Sequence, residues 1–193
     1  MNPKVLADAK KDARIFNSAG MTLEEVLDVM QKGEAAGKKV VRVHTGDPAI
    51  YGAHREQMDA LDRMGITYEV IPGVSSFLAT AAALKKEYTL PGVSQTVILT
   101  RMEGRTPMPE GEKLLDLARH RATMVIFLSV GMLEEMCATL RQAYRPDTPA
   151  AVVYKASWED EKIVRGTLTD LPQKVKESCI RKTALTVVGD FLG

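Results

Sequence analysis

Apolar residues in the first half of the chain recur at helical spacing in three segments. The segment "MTLEEVLDVMQKGEAAGKK" predicts an amphipathic helix that Thr22 begins, and Glu25 completes a capping box three residues later. The apolar stripe of this helix comprises Leu23, Val26, Leu27 and Met30. A second helix, in "REQMDALDRMG", ends at Gly65, and a third follows in "SSFLATAAALKK".

Strands are predicted in the same half of the chain. They are the segments "ARIFNSA", "KVVRVHT" and "ITYEVIPG", and each of the last two precedes a helix. Strands that alternate with helices in this way are typical of right-handed βαβ crossovers. The first half is therefore predicted to contain a parallel sheet.

From about Tyr88 the pattern changes, and polar loops separate the elements. Strands are predicted in "SQTVILT", "ATMVIFLS", "PAAVVYKAS" and "TALTVVGDF", and a strand, turn and helix in "EKIVRGTLTDLPQKVKE". The continuous apolar run of "ATMVIFLS" is typical of a strand buried on both faces. Helices are predicted in "GEKLLDLARH" and "MLEEMCATLRQAY". The whole chain is predicted to be an α/β protein of two lobes, residues 1–86 and 87–193.

Composition excludes several classes of partner. The chain has 26 Lys and Arg against 25 Asp and Glu, so its net charge of +1 does not indicate a nucleic-acid-binding surface. No apolar run approaches the length that spans a membrane, and the N-terminal residues do not resemble a signal peptide. Cys137 and Cys179 lack metal-ligand spacing and are predicted to be reduced, buried thiols, so we expect a cytoplasmic protein.

The candidate chemistry lies where strands end, because ligands of α/β sheets bind beyond the carboxyl ends of the strands. The first such loop is Thr45-Gly46-Asp47-Pro48. Gly46 permits a backbone conformation or a close approach to a ligand that a Cβ atom would block, and the Asp47 carboxylate can accept hydrogen bonds from a ribose or an ammonium group. Alternatively, Asp47 before Pro48 is a favoured helix N-cap, and the two roles are compatible.

Three further strand ends carry small or polar residues. In "VIPGVSS", Ser75 or Ser76 can cap the following helix or present a hydroxyl group to a ligand. Two such loops in succession indicate a shared cleft. The other two strand ends are "FLS" at 127–129 and "YKASW" at 154–158.

Several catalytic motifs are absent from the sequence. It contains no GxGxxG, GxxxxGK[ST] or GxSxG motif, and its three histidines lack ligand spacing, so no metal site is predicted. His44 is interpreted as a packed neighbour of the first loop rather than a base. No catalytic acid or base is assigned. Such a sequence is compatible with a reaction in which a reactive cofactor supplies the chemistry.

Arg101 and Arg105 flank Glu103-Gly104 in the polar segment "TRMEGRTPMPEGE". Their guanidinium groups suit carboxylates, which they can bind through two parallel hydrogen bonds. The alternative is a solvated loop with an internal Arg–Glu ion pair.

Taken together, four stretches resemble the tetrapyrrole C-methyltransferase family of cobalamin and sirohaem synthesis. They are "VVRVHTGDPAIYGA", "VIPGVSS", "QTVILTRMEGRTPMPE" and "VVYKASWEDEKIVRGTL". The resemblance covers essentially the whole chain. The first two belong to the family at large, whereas the arginine-containing segment resembles one branch of it.

The resemblance implies a cofactor, a substrate and a set of site residues. Members of the family bind S-adenosylmethionine in a cleft between two α/β lobes and methylate a ring carbon of a polycarboxylated tetrapyrrole. The cofactor-binding residues implied here are Thr45, Gly46, Asp47, Ile50, Ser75, Ser76, Leu128, Ala156 and Ala184. The carboxylates of the substrate give Arg101 and Arg105 a binding role. A homodimer is also implied, in which the sheet of the second lobe is buried against the partner.

One departure from the family affects the first lobe. Members begin with a strand, a GxGPGD-type loop, a helix and a second strand, and this sequence starts at "MNPKVLADAK", after the position of those elements. The first lobe is therefore expected to have exposed strand edges or to pair differently. Three alternatives remain open: a non-catalytic member, a methyltransferase for another ring carbon, and a nucleotide- or phosphate-handling α/β enzyme.

Overall fold

In the computed structural model, which describes residues 2–193, the chain divides into two units, residues 2–75 and 76–193. The α-helices are α1 Leu23–Ala35, α2 Arg55–Arg63, α3 Ser76–Leu84, α4 Leu114–Ala118, α5 Leu133–Leu140 and α6 Leu171–Glu177. The strands are β1 Val97–Arg101, β2 Thr123–Phe127, β3 Pro149–Tyr154, β4 Lys162–Thr167 and β5 Ala184–Val188. Short 3-10 helices cover Pro3–Leu6, Ser18–Gly20, Val130–Met132 and Asp190–Leu192. The division falls before α3, and the lobe boundary at residue 86 stays a prediction.

The helices of the first unit form as the sequence predicts. At the start of α1 the Thr22 N–H donates to Glu25 Oε2 at 2.8 Å, and the Glu25 N–H donates to Thr22 Oγ1 at 3.3 Å. This reciprocal pair is the predicted capping box. α2 is followed by Gly65 at φ +68°, the left-handed conformation that ends a helix. Both the capping box and the helix end are confirmed.

The prediction of strands in the first unit is wrong. Within residues 2–75, no segment forms a hydrogen-bonded β-ladder. A strand exists only if a neighbouring segment pairs with its N–H and C=O groups, and "ARIFNSA", "KVVRVHT" and "ITYEVIPG" lack one among the described residues. The apolar side chains stay in solvent, with Val41 and Ile71 each 68% exposed. The parallel sheet predicted for this half is therefore absent from the described residues.

The second unit contains a five-stranded sheet in the order β1-β2-β5-β3-β4. β1 and β2 are parallel, whereas β5 runs antiparallel to both β2 and β3, and β4 is antiparallel to β3. Every residue of β2 is buried, as its continuous apolar run predicts. The α/β class is confirmed.

Both faces of the three central strands, β2, β5 and β3, are covered within the chain. One face packs into a cluster with α4, α5 and α6, and its residues include Met124, Ile126, Val152 and Val188. Alternate residues point to the other face and are also buried, namely Val125, Ala151, Val153 and Val187. There α3 contacts β5, and the Asp190–Leu192 turn contacts β3. The edge strands β1 and β4 are only partly buried, with Ile163 38% exposed, so burial of the sheet against a partner stays a prediction, as does the dimer.

The two cysteines differ in environment. Cys137 and Cys179 are both unpaired, as predicted. Cys137 lies buried in α5, and burial raises the pKa of its thiol to about 11. The prediction that Cys179 is buried is wrong, because it follows the end of α6 at φ +61° and faces solvent. Among the described residues, no helix has both the length and the apolarity needed to cross a membrane.

Hydrogen exchange will distinguish the paired strands of the second unit from the unpaired segments of the first. We expect fast amide exchange in residues 40–44 and 67–71, because those N–H groups have no ladder partner, and slow exchange in β2, β3 and β5. The measurement is hydrogen–deuterium exchange resolved by peptide mass spectrometry or NMR. Protection of residues 40–44 comparable to that of β2 would contradict the absence of a ladder.

Candidate functional site

Asp47 joins the two loops that the sequence singled out in the first unit. Its Oδ2 accepts a hydrogen bond from the Gly73 N–H at 2.8 Å, and its Oδ1 accepts one from the Ala49 N–H at 2.8 Å. The first of these bonds spans 26 residues. The Thr-Gly-Asp-Pro and Pro-Gly loops therefore lie in contact, and the cleft predicted between them stays a prediction.

The helix-cap hypothesis for Asp47 is wrong. Residues 48–51 form a turn, and the next helix, α2, begins at Arg55 with His54 at its N-cap position. The Asp47 carboxylate instead accepts from the N–H two residues ahead, as in an Asx turn. Because its other oxygen reaches Gly73, this side chain holds one loop against another.

Glycine is required in both loops, for different reasons. Gly46 has φ +70°, a conformation that side chains rarely adopt, so the first interpretation of this residue is confirmed. Gly73 lies so close to Gly46 that an added Cβ atom would overlap the Gly46 carbonyl oxygen. A substitution at Gly73 would therefore push the loops apart and lengthen the bond to Asp47.

The carboxylate of Asp47 is stabilised in its charged form. The backbone N–H groups of Gly73 and Ala49 lower its pKa from the usual value of 3.8, and nearby His54 acts in the same direction. Burial, together with Arg42 and His54, lowers the pKa of His44 below its usual 6.5. The His44 ring lies edge-on to that of His54, 5.7 Å between centroids, as expected of a packed neighbour.

The other expected residues of this half differ in accessibility. Thr45 and Gly46 are exposed, and Ile50 is half-buried. Ser75 is only 5% exposed, and Ser76 is the first residue of α3. Thr45 and Gly46 are thus open to a ligand, whereas Ser75 is not accessible from solvent in this structure.

In the second unit, the strand directions bring Leu128, Ala156 and Ala184 to one edge of the sheet. Leu128 follows the end of β2 and Ala156 follows the end of β3, whereas Ala184 is the first residue of β5. Since β5 runs opposite to both strands, its start lies beside their ends, and Ala184 pairs with Tyr154 of β3. The structure therefore places these three residues along the same sheet edge.

The same edge concentrates unusual backbone conformations. The residues there with positive φ that are not glycine are Leu128 at 54°, Lys155 at 47°, Ser157 at 74° and Thr183 at 57°. Such conformations cost energy and cluster at functional sites. Leu128 is also 72% exposed, which is unusual for a large apolar side chain at a strand end. The sequence did not indicate this cluster, because no glycine occupies these positions.

Ser129, the polar residue of the "FLS" strand end, has a structural role. Its buried Oγ accepts from the Met102 N–H at 2.8 Å and donates to the Phe127 carbonyl at 2.6 Å. β1 ends one residue before Met102 and β2 ends at Phe127. The hydroxyl group therefore ties the ends of the two parallel strands together.

Arg101 and Arg105 have different environments. The guanidinium of Arg101 donates to three backbone carbonyls, those of Met102 and Thr106 at 3.0 Å and that of Pro107 at 3.2 Å. It therefore shapes its own loop. Arg105 is exposed and makes no hydrogen bond or ion pair with the described residues, and neither arginine pairs with Glu103. The internal Arg–Glu pair is thus absent from residues 2–193.

A lysine that the sequence did not single out organises the loop carrying Ala156. Lys155 Nζ lies 2.5 Å from Asp160 Oδ2, and it also lies over the rings of Tyr154 at 5.0 Å and Trp158 at 4.9 Å. The pKa of Lys155 is raised by its bond to Asp160, and that of Asp160 is lowered by the same bond. No pattern of spacing in the sequence could have shown this contact between residues in a loop.

Comparison with known sequences gives two findings. Residues 2–172 match the sequence model of a family described as Tetrapyrrole (Corrin/Porphyrin) Methylases. A cobalt-precorrin-4 C(11)-methyltransferase of Methanocaldococcus jannaschii is 61% identical over 193 residues, which are 100% of this chain and 74% of that protein.

Solved structures agree with the sequence comparison. The X-ray structure of a cobalt precorrin-4 methyltransferase, a cobalamin biosynthetic enzyme, has a TM-score of 0.96 and 48% identity, covering 99% of this chain and 80% of that one. The uroporphyrin-III C-methyl transferase of Thermus thermophilus, complexed with S-adenosyl homocysteine, has a TM-score of 0.72 and 27% identity, covering 88% and 74%.

The substitution Asp47→Asn tests the bridge between the loops. The asparagine side chain has one acceptor oxygen, and its NH₂ group cannot accept a hydrogen bond. It therefore cannot keep both bonds, and we expect faster exchange of the backbone N–H of Gly73 or Ala49. In the unchanged protein the bridge persists above pH 3.8 and is lost as the pH falls through the lower pKa of folded Asp47. NMR of the two amides measures both effects. The control is Asp8→Asn, at an exposed position. If the exchange rates of the Gly73 and Ala49 amides are unchanged in Asp47→Asn, the bridge is refuted.

The substitution Ser129→Ala tests the tie between β1 and β2. It leaves the Met102 N–H without a partner in a buried place, so the free energy of unfolding should fall by about 1–3 kcal/mol. Thr186→Val is the matched control, because the Thr186 hydroxyl is buried and has no partner among the described residues. That variant should be as stable as the unchanged protein or more so in denaturant titration. Equal stability of the two variants would contradict the role of Ser129.

Proposed function

We propose that this chain, which belongs to the tetrapyrrole (corrin/porphyrin) methylase family, methylates precorrin-4 or its cobalt complex at C11 with S-adenosylmethionine as the methyl donor. The observation that carries the proposal is the likeness, over almost the whole chain, to enzymes described as acting on that substrate. S-adenosylmethionine supplies an electrophilic methyl group when it is bound. The protein's contribution is to bind and orient the reactants.

The residues of the first unit proposed to contact the cofactor are Thr45, Gly46, Asp47, Ile50 and Ser75. Thr45 and Gly46 offer an exposed hydroxyl group and exposed backbone. Asp47 already accepts two backbone N–H groups, so its main role here is to fix the loop, and its remaining lone pairs can accept from a ribose. Ser75 is proposed from the family resemblance alone.

In the second unit, the residues proposed to contact the cofactor are Ser76, Leu128, Ala156 and Ala184. The last three fit an adenosine group because an exposed apolar side chain lies on the same sheet edge as two alanines, whose short side chains leave room for a flat ring. No residue is assigned as the base that removes the proton after methylation.

Arg101 and Arg105 are proposed to serve the carboxylates of the substrate in different ways. Arg105 is exposed and has no partner among residues 2–193, so its guanidinium is available for a carboxylate. Arg101 donates to three carbonyls and holds the loop that carries Arg105. We propose direct binding for Arg105 and positioning for Arg101.

We further propose a cytoplasmic homodimer. Unpaired cysteines persist in a reducing compartment, which favours the cytoplasm. The dimer follows from the family resemblance, and burial of the second lobe's sheet against the partner is proposed on the same ground. Sedimentation equilibrium will give the mass of the assembly.

Titration of S-adenosylhomocysteine into the chain tests the cofactor site. We expect binding by calorimetry, and Ala156→Leu should weaken it about tenfold or more, because the added side chain fills space proposed for the adenosine. Ala138→Leu, at an exposed position of α5, is the matched control and should bind normally. Thermal unfolding will show that both variants are folded. No binding to the unchanged chain would overturn the proposal.

Methyl transfer is tested with the tetrapyrrole substrate and methyl-labelled S-adenosylmethionine. The product should gain one methyl group by mass, and carbon-13 NMR should place it at C11. Methylation at a different ring carbon would show another specificity within the family. Cofactor binding without transfer to any tetrapyrrole would favour the non-catalytic alternative.

A further inference from the structure

A groove of about 440 Å³ lies in the second unit, between the turn joining β3 to β4 and the segment that precedes β5. Its lining residues are Tyr154, Asp160, Lys162, Ser178, Cys179, Ile180, Arg181 and Lys182. Lys182 stands two residues before Ala184, and Tyr154 two residues before Ala156. The groove is therefore next to the sheet edge where Leu128, Ala156 and Ala184 lie.

The groove has an excess of positive charge. Lys162, Arg181 and Lys182 line it, and none of the three forms an ion pair with any residue in the described range 2–193. The single carboxylate among the lining residues is that of Asp160, which forms an ion pair with Lys155 at 2.5 Å and also interacts electrostatically with Lys162. Since acidic and basic residues nearly balance over the whole chain, this excess of cations over carboxylates in one groove is a local feature.

The backbone holds these cations in fixed places. Lys162 is the first residue of β4 and pairs with Tyr154 of β3. Arg181 and Lys182 follow Ile180, which is buried. Beyond them, the Thr183 carbonyl accepts from the Lys155 N–H at 2.9 Å. A site whose backbone is fixed before binding loses less entropy when it captures a ligand.

We propose that this groove binds a carboxylate on the periphery of the tetrapyrrole substrate, with Lys162, Arg181 and Lys182 as its partners. The choice of the tetrapyrrole rests on the proposed function, whereas the affinity for a carboxylate rests on the groove itself. Arg181 can bind both oxygens of the carboxylate, and the two lysines add point charges around it. The groove would thus serve a second carboxylate, apart from the one assigned to Arg105.

The carboxylate of the amino-acid portion of the cofactor has the same chemistry, and the experiment separates the two sources. The probes are uroporphyrin, a stable polycarboxylated tetrapyrrole, and S-adenosylhomocysteine. Trp158 is the sole tryptophan of the chain and lies in the turn beside the groove, so quenching of its fluorescence reports porphyrin binding. Calorimetry reports binding of S-adenosylhomocysteine.

The test variant is K162Q/R181Q/K182Q, and the matched control is K10Q/K11Q/K39Q, which removes the same charge from exposed positions of the first unit. We expect the test variant to bind uroporphyrin about tenfold more weakly, with a smaller dependence on salt, and the control to bind nearly as the unchanged protein does. Both variants should bind S-adenosylhomocysteine normally.

Three results would overturn the inference. They are equal uroporphyrin affinity of the test variant and the unchanged protein, equal losses in the test and control variants, and loss of S-adenosylhomocysteine binding in the test variant alone. The last result would assign the groove to the cofactor's carboxylate. If S-adenosylhomocysteine does not bind the unchanged chain but uroporphyrin binding still depends on the three cations, the proposed function fails and the carboxylate groove stands.

Discussion

Backbone hydrogen bonding along β5 is the interaction on which the second unit depends. This strand lies between β2 and β3 and pairs with both, so the two halves of the sheet are joined only through it. Because it runs opposite to both neighbours, it also determines which residues meet. Ala184 lies beside the ends of β2 and β3 for that reason, and the cations of the preceding segment reach the same side of the sheet.

In the first unit, distant segments are held together by the Asp47 side chain, whereas in the second unit they are held together by the backbone hydrogen bonds of a β-ladder. The segments that precede the Thr-Gly-Asp-Pro and Pro-Gly loops form no β-ladder within residues 2–75. Their ends are nevertheless held together, since Asp47 accepts from Gly73 and the Gly73 backbone lies against Gly46. The loops are thus held together by a charge-assisted hydrogen bond, and they can approach closely because Gly73 has no Cβ atom. The segments that lead to them remain exposed.

The sequence predicted features that depend on local chemistry. The capping box at Thr22 and Glu25, the helix end at Gly65 and the buried strand β2 need only near neighbours or a run of apolar residues. The sequence also singled out the Thr-Gly-Asp-Pro and Pro-Gly loops, which the structure brings into contact, although the strands predicted before them do not form. Features that depend on distant partners were not predictable. Nothing near Arg101 in the sequence shows that its guanidinium binds carbonyls of its own loop, and the left-handed backbone of Leu128 and Thr183 has no glycine to mark it.

The bond between Asp47 and Gly73 encloses α2, since the helix lies wholly between the two residues. The bond therefore closes a segment of chain that contains α2, and a closed segment has less conformational freedom than an open one. By linkage, a ligand that binds only molecules in which the Asp47–Gly73 bond is formed also stabilises the closed segment. Any change that favours opening of this segment must then weaken the binding of that ligand. A residue of α2 that does not touch the ligand can thus alter its affinity if it changes the fraction of molecules in which the Asp47–Gly73 bond is formed.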